Sequence, residues 1–141
     1  SRIGLGADAF VFSKTTDMVA LVSAHNKKTA IDCVLVDEAQ FLTDDQVWQL
    51  AEIVDGLNIP AMCYGLRTDF QGNMFPGSAR LLAIADNLRE IRTICHCGRK
   101  ATMVVRQNEA GEVIRDGAQV EIGGNEKYVS LCRYHWRIAM S

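Results

Sequence analysis

The sequence predicts an α/β domain, a parallel sheet with flanking helices, joined to a small zinc-binding antiparallel β lobe. Three observations carry this prediction. The apolar run Cys33-Val34-Leu35-Val36 passes without alternation into Asp37 and Glu38. Such a run reads as a strand buried on both faces, the habit of parallel sheets. A second run of the same kind, Ile59 to Leu66, follows an amphipathic helical stretch, so strand, helix and strand form a βαβ unit with a right-handed crossover. At Cys95 the texture changes to short β-type runs separated by turn signals, bracketed by a CxC pair and a CxxH pair. The predicted division is residues 1–94 for the α/β part and 95–141 for the lobe.

Composition narrows the function classes. With 141 residues the chain is long enough to bury a core. A net charge of −2 argues against a sequence-independent nucleic-acid binder, which needs a basic face. No apolar run approaches the ~20 residues of a membrane span. No segment reads as a signal peptide, and the chain begins at Ser1 rather than Met, which leaves room for an upstream segment. The odd number of cysteines (Cys33, Cys63, Cys95, Cys97, Cys132) makes a poor disulfide framework. Reduced thiols and a metal site point to the cytoplasm.

Taken in order, residues 1–12 offer glycines and then a short apolar run. Gly4 and Gly6 do not complete GxGxxG, and GxxxxGK[ST] is absent from the chain. Lys14 to Lys28 reads as a helix capped by Thr15 or Thr16, with Met18, Leu21 and Val22 as its apolar stripe. The strand Ile31 to Asp37 follows. Thr43-Asp44-Asp45-Gln46 is a capping box that opens a helix running to about Asp55, with Gly56 as its expected C-cap. Residues Arg67 to Gly77 show neither period, so they form a long loop, and loops of this length in compact domains are usually functional or disordered. Its two phenylalanines, Phe70 and Phe75, either pin the loop to the body or stack on a planar ligand. Ser78 to Asn87 reads as a helix and Arg89 to Cys95 as a further strand. Beyond it, β-type runs at 103–106, 113–114, 119–122 and 128–131 alternate with Gly-containing turns. Tyr134 to Met140 reads as a short helix.

Two features carry chemistry. Ligands of parallel α/β sheets bind beyond the carboxyl ends of the strands, where Asp37 and Glu38 stand. Cys95, Cys97, Cys132 and His135 supply the four thiolate and imidazole ligands of a closed tetrahedral zinc site, which is structural because no position stays open. A turn-rich lobe gains stability from such a clip. His96 lies between two cysteines and is a competing ligand, although thiolates are preferred at a structural site.

Taken together, VLVDEAQF, YGLRTDFQGNMFPGS, the cysteine pairs and IGGNEKY resemble the zinc-containing (type II) thymidine kinases, in the same order and with similar spacing. The resemblance is to a bacterial member and covers nearly the whole chain from Thr29. It implies a P-loop-kinase-like sheet, phosphorylation of the 5′-hydroxyl of thymidine or deoxyuridine from ATP with Mg²⁺, and a role in deoxynucleoside salvage. It also implies a cytoplasmic homotetramer inhibited by thymidine triphosphate, with no nucleic-acid or membrane partner. Residue by residue, Asp37 matches the acid that helps hold Mg²⁺, and Glu38 the base that accepts the proton of the sugar hydroxyl. Ala39 and Gln40 complete that nucleotide- and Mg-binding motif. Phe41 and Leu66 match pocket residues, and Phe70 and Phe75 the loop that closes over the base. Gln119, Val120, Glu121, Ile122, Gly123 and Tyr128 match the strand and loop whose backbone binds the thymine edge. Two acids adjacent on an extended chain point opposite ways, toward metal and toward sugar. The chain departs from the family in lacking the first strand and its GxxxxGK[ST] loop, so the 141 residues alone are expected not to turn over ATP. Val104 stands where the family often has a polar residue.

Two rival readings share parts of this pattern. DEAQ resembles the acidic box of DExQ-type ATPases, which suggests a helicase fragment. The zinc lobe alone suggests a non-enzymatic zinc-ribbon binding module.

Overall fold

The computed structural model describes residues 6–120 and 127–141. Four α-helices, one 3₁₀ turn (Ala39–Phe41) and seven short strands follow one another along these residues. The βαβ unit is present. β1 (Val34–Val36) and β2 (Ala61–Cys63) pair in parallel, with Val34 opposite Ala61 and Val36 opposite Cys63. Each strand is shorter than the apolar run that predicts it. Only one face is buried: Val36 packs inward, whereas Leu35 and Met62 are 68% and 49% exposed. The expectation of burial on both faces therefore fails, because no described element covers the Leu35 side.

The helices flank that sheet. α1 (Met18–Asn26) begins at Asp17, whose carboxylate accepts from Ala20 N at 2.9 Å. Thr16, the expected cap, instead closes a turn by accepting from Ser13 N at 2.8 Å. α2 (Asp44–Leu57) carries the predicted capping box, with Gln46 N donating to Thr43 Oγ1 at 3.1 Å and Thr43 N donating to Gln46 Oε1 at 3.0 Å. The amide of Gln46 also donates to the carbonyls of Ser13 and Thr16, tying the N-terminal segment to the α2 cap. α2 runs past Gly56 and ends at Asn58 in the left-handed conformation, a residue type that tolerates it. Residues 6–12 form no strand, and Phe10 and Val11 are exposed. α3 (Pro76–Ile84) starts two residues early because Pro76 suits the first helical position.

The lobe is antiparallel. β3 (Thr93–Ile94) pairs with β4 (Lys100–Ala101), so the run predicted at 89–95 belongs with the lobe and not with the parallel sheet. β5 (Met103–Gln107) lies between β6 (Val113–Ile114) and β7 (Lys127–Leu131). Gln119 and Val120 are not in a strand, and the rest of the predicted 119–122 run lies outside the described residues. α4 (Arg133–Met140) closes the chain.

Two buried clusters result. One gathers Met18, Val22, Val36, Ala39, Leu42, Val47, Leu50, Ile53 and Ile59. The other gathers Cys95, Val105, Leu131 and Cys132. Ile53 is wholly buried, and truncating such a residue to alanine costs about 2–5 kcal/mol. Among the described residues no helix is long and apolar enough to cross a membrane.

Candidate functional site

The acids stand where the sheet ends. Tyr64 N donates to Val36 O and Ala39 N to Tyr64 O, both at 2.8 Å, so the parallel pairing continues around Asp37 and Glu38. Asp37 is exposed and accepts from Glu38 N at 2.9 Å. Glu38 adopts φ 51 and ψ 40, a left-handed conformation unusual for a residue with a side chain. The two acids therefore do not diverge by strand alternation; the left-handed turn at Glu38 separates them. Such backbone strain persists only where surrounding contacts impose it, and it clusters at functional sites.

Gln40 imposes part of it. Its side chain is buried, and its amide nitrogen donates to Glu38 Oε2 at 2.5 Å. The amide oxygen accepts from Leu66 N at 3.1 Å. Gln40 thus braces the Glu38 carboxylate against the chain leaving β2. Gly65 makes room for this: a Cβ there would lie 2.6 Å from Gln40 Oε1 and 2.9 Å from Gln40 N. Ser78 Oγ donates to Leu66 O at 2.5 Å, and Phe41 meets Phe75 edge to face at 6.0 Å. The structure accordingly brings Glu38, Gln40, Phe41, Leu66 and Phe75 together at one end of the sheet. Phe41 and Leu66 are partly exposed there, whereas Phe75 is buried.

Phe70 belongs elsewhere. The loop 67–75 folds around Asp69, whose Oδ1 accepts from Gln71 N at 3.0 Å and Asn73 N at 2.9 Å. Phe70 is 1% exposed, and the Arg106 guanidinium lies 4.0 Å above its ring. Trp136 Nε1 donates to Phe70 O and Val104 O at 3.1 and 3.0 Å. Both phenylalanines thus cover protein, which favours pinning over open stacking. Gln119 spends its side-chain amide on Asp69 Oδ2 at 3.0 Å. Val120 and Tyr128 are exposed, and Glu121, Ile122 and Gly123 lie outside the described residues.

Sequence reasoning missed Arg106, Trp136 and Asp69, and the bracing role of Gln40. A lone arginine inside the apolar run MVVRQ was the available signal, since a charge there needs a specific partner.

The metal ligands converge. The ligand atoms of Cys95, Cys97, Cys132 and His135 all lie within 4.8 Å of one another. Cys97 Sγ and Cys132 Sγ are 3.8 Å apart, and His135 Nδ1 is 3.4 Å from Cys132 Sγ and 3.5 Å from Cys95 Sγ. A tetrahedron with ~2.3 Å zinc–sulfur bonds has edges of about 3.8 Å, slightly less toward nitrogen, so these residues fit zinc. The His96 ring leans against the His135 ring at a 40° tilt, centroids 4.3 Å apart, and His96 is not among the four. Desolvation raises the Cys95 thiol, but backbone amides of Cys97 and Cys132 together with His135 outweigh it and bring it down to about 6. A thiolate is the form that binds metal. By contrast, burial pushes the Cys63 thiol in β2 up to about 11, so it stays protonated and inert.

A βαβ unit with braced strand-end acids, joined to a lobe that can hold zinc through three cysteines and a histidine, defines a mixed α/β protein with a metal-binding β lobe. The thymidine kinase family profile matches residues 1–136. The chain is 61% identical to a thymidine kinase of Idiomarina loihiensis over 140 residues, 99% of this chain and 72% of that protein. It is 60% identical to one of Ruegeria pomeroyi over 139 residues, 99% of this chain and 70% of the relative. It is 62% identical to one of Agrobacterium fabrum over 136 residues, 96% and 70% respectively. The chain belongs to the thymidine kinase family. Membership sets aside the helicase-fragment and zinc-ribbon readings.

Proposed function

We propose that the protein transfers the γ-phosphoryl group of ATP to the 5′-hydroxyl of thymidine, and of deoxyuridine, with Glu38 as the general base. The observation that carries the proposal is the strained, braced conformation of Glu38 at the end of a parallel strand. Phosphoryl transfer rests on positioning, and a base that orients the hydroxyl must be held in place. Gln40 holds the carboxylate through Oε2, and Glu38 is exposed, so the group is open to accept the hydroxyl proton. Asp37, exposed beside it, has the chemistry to hold Mg²⁺, directly or through water; when bound, that ion neutralises charge on the phosphates. Ala39 and Gln40 fix the turn that carries both acids.

Phe41 and Leu66 offer apolar walls for the nucleoside, and Phe75 backs Phe41 from within, while Phe70 pins the loop 67–75 that would close over the base. Val120 and Tyr128, with Gln119, Glu121, Ile122 and Gly123, supply the edge that reads the base through backbone groups. Zinc at Cys95, Cys97, Cys132 and His135 is structural and stiffens the lobe on which that edge is built. We also propose a division into residues 1–94 and 95–141, with the boundary shifted ahead of β3, whose Thr93–Ile94 pair with the lobe. We further propose a cytoplasmic homotetramer inhibited by thymidine triphosphate. The 141 residues alone do not turn over ATP in this reading, because GxxxxGK[ST] is not among them.

The test is Glu38→Gln in the full-length gene product. The substitution preserves size and removes basicity, so kcat falls by about a hundredfold or more with thymidine affinity little changed. An unchanged kcat refutes the assigned role.

A further inference from the structure

Arg106 is the largest fully buried side chain among the described residues, at 1% exposure. A cation in that position is costly unless its surroundings compensate it. Two of its contacts come from different parts of the chain. The guanidinium carbon lies 4.0 Å over the Phe70 ring, in the loop 67–75. Nη1 donates to Ala118 O at 3.0 Å, in the segment that leads to residues 119–123. Gly117 is fitted to the same side chain, since a Cβ there would lie 2.5 Å from Arg106 Nη2. Further bonds run parallel to this link. Gln119 Nε2 donates to Asp69 Oδ2 at 3.0 Å, and Gln71 Nε2 to Arg115 O at 3.2 Å.

We infer that Arg106 is a positioning residue for nucleoside binding: one buried guanidinium holds the loop 67–75 and the segment 115–120 at a fixed separation. The inference rests on the thymidine-phosphorylating function proposed above and deepens it. A planar guanidinium stacks its face on the aromatic ring while an in-plane N–H donates to the carbonyl; a lysine ammonium has no face to stack and no rigid fork to fix both partners. A slot set in advance spares the ligand the cost of ordering two segments, and that cost appears in affinity. Neither Arg106 nor Gly117 lies among the strand-end residues around Glu38, so chemistry at the sugar is untouched.

The test uses the full-length, zinc-loaded protein. Arg106→Lys keeps the charge and removes the fork. The expected result is a KM for thymidine raised about tenfold or more, with kcat and the KM for ATP within about threefold of the parent. Gly117→Ala crowds Arg106 Nη2 and strains the backbone of the same segment at φ 142, so it disturbs the link from the other side and shifts the thymidine KM in the same direction. If Arg106→Lys fails to fold or to retain zinc, Gly117→Ala alone decides. A merely structural arginine lowers the melting temperature and leaves the thymidine KM within threefold in whichever variant folds; that outcome overturns the inference. A parent protein that does not phosphorylate thymidine overturns the underlying function instead, and the two failures are told apart by the parent's own activity.

Discussion

Replacing Gln40 by methionine separates the bracing of Glu38 from ordinary packing. The change keeps the length of a buried side chain and removes both ends of the amide. Two hydrogen bonds go: Nε2 to Glu38 Oε2, and Leu66 N to Oε1. The Leu66 bond is an ordinary neutral one, worth about 1 kcal/mol. The bond to Glu38 is charge-assisted, but Glu38 is exposed, so screening reduces it to about 0.5–1 kcal/mol. The expected loss of stability is therefore about 1.5–2 kcal/mol, or a fall in Tm of roughly 5–8 °C at this chain length. Activity suffers more. A carboxylate released from its brace samples other rotamers, and a misplacement of about 1 Å costs up to a hundredfold in rate. Thermal melts and steady-state kinetics on the full-length protein read both quantities. The expected pattern is a modest drop in Tm, a ten- to hundredfold drop in kcat, and a thymidine KM within about threefold. An unchanged kcat with a lowered Tm refutes the reasoning, because it makes Gln40 a packing residue only.

Further outcomes follow from the lobe. Cys132→Ser removes a ligand that lies 3.8 Å from Cys97 Sγ and 3.4 Å from His135 Nδ1, so zinc content and lobe stability fall together; a folded, metal-free variant contradicts the structural role. In the metal-free chain, the folded Cys95 thiol sits at about 6 against an ordinary value of 9.0. Its contribution to stability is full above pH 9 and is lost as pH falls through about 6; zinc, which competes with protons for the thiolate, leaves at lower pH than that. Metal content measured against pH checks this, and retention of zinc at pH 4 contradicts it. Trp136→Phe deletes the N–H that serves both Phe70 O and Val104 O. The amide of Gly72, bonded within the loop to Asp69 O, then exchanges about tenfold faster or more; unchanged exchange refutes the tie between α4 and the loop.

Features set by local chemistry were legible in the sequence. The capping box at Thr43 and Gln46 needs only residues three apart, and it forms as expected. The zinc ligands declare themselves through pair spacing, and their convergence follows from the strands that lie between them. The strand-end acids were legible as a position but not as a geometry. The left-handed Glu38 is imposed by Tyr64 and Leu66, which lie 26 to 28 residues downstream, and no local propensity announces it. Phe70 shows the same limit. Whether it covers protein or ligand depends on Arg106, a partner 36 residues away that periodicity cannot supply. The exposed Leu35 shows the reverse: an apolar run marks what a strand could bury, and the neighbours decide how much of it is buried.

The central claim, that the braced acids at the end of β1 serve phosphoryl transfer to thymidine, meets its most direct test in the full-length gene product given ATP, Mg²⁺ and tritiated thymidine. The account predicts labelled thymidine monophosphate from the parent protein and a loss of about a hundredfold or more in Glu38→Gln, with thymidine still bound. No labelled monophosphate from the zinc-loaded parent, or equal turnover in the variant, contradicts it.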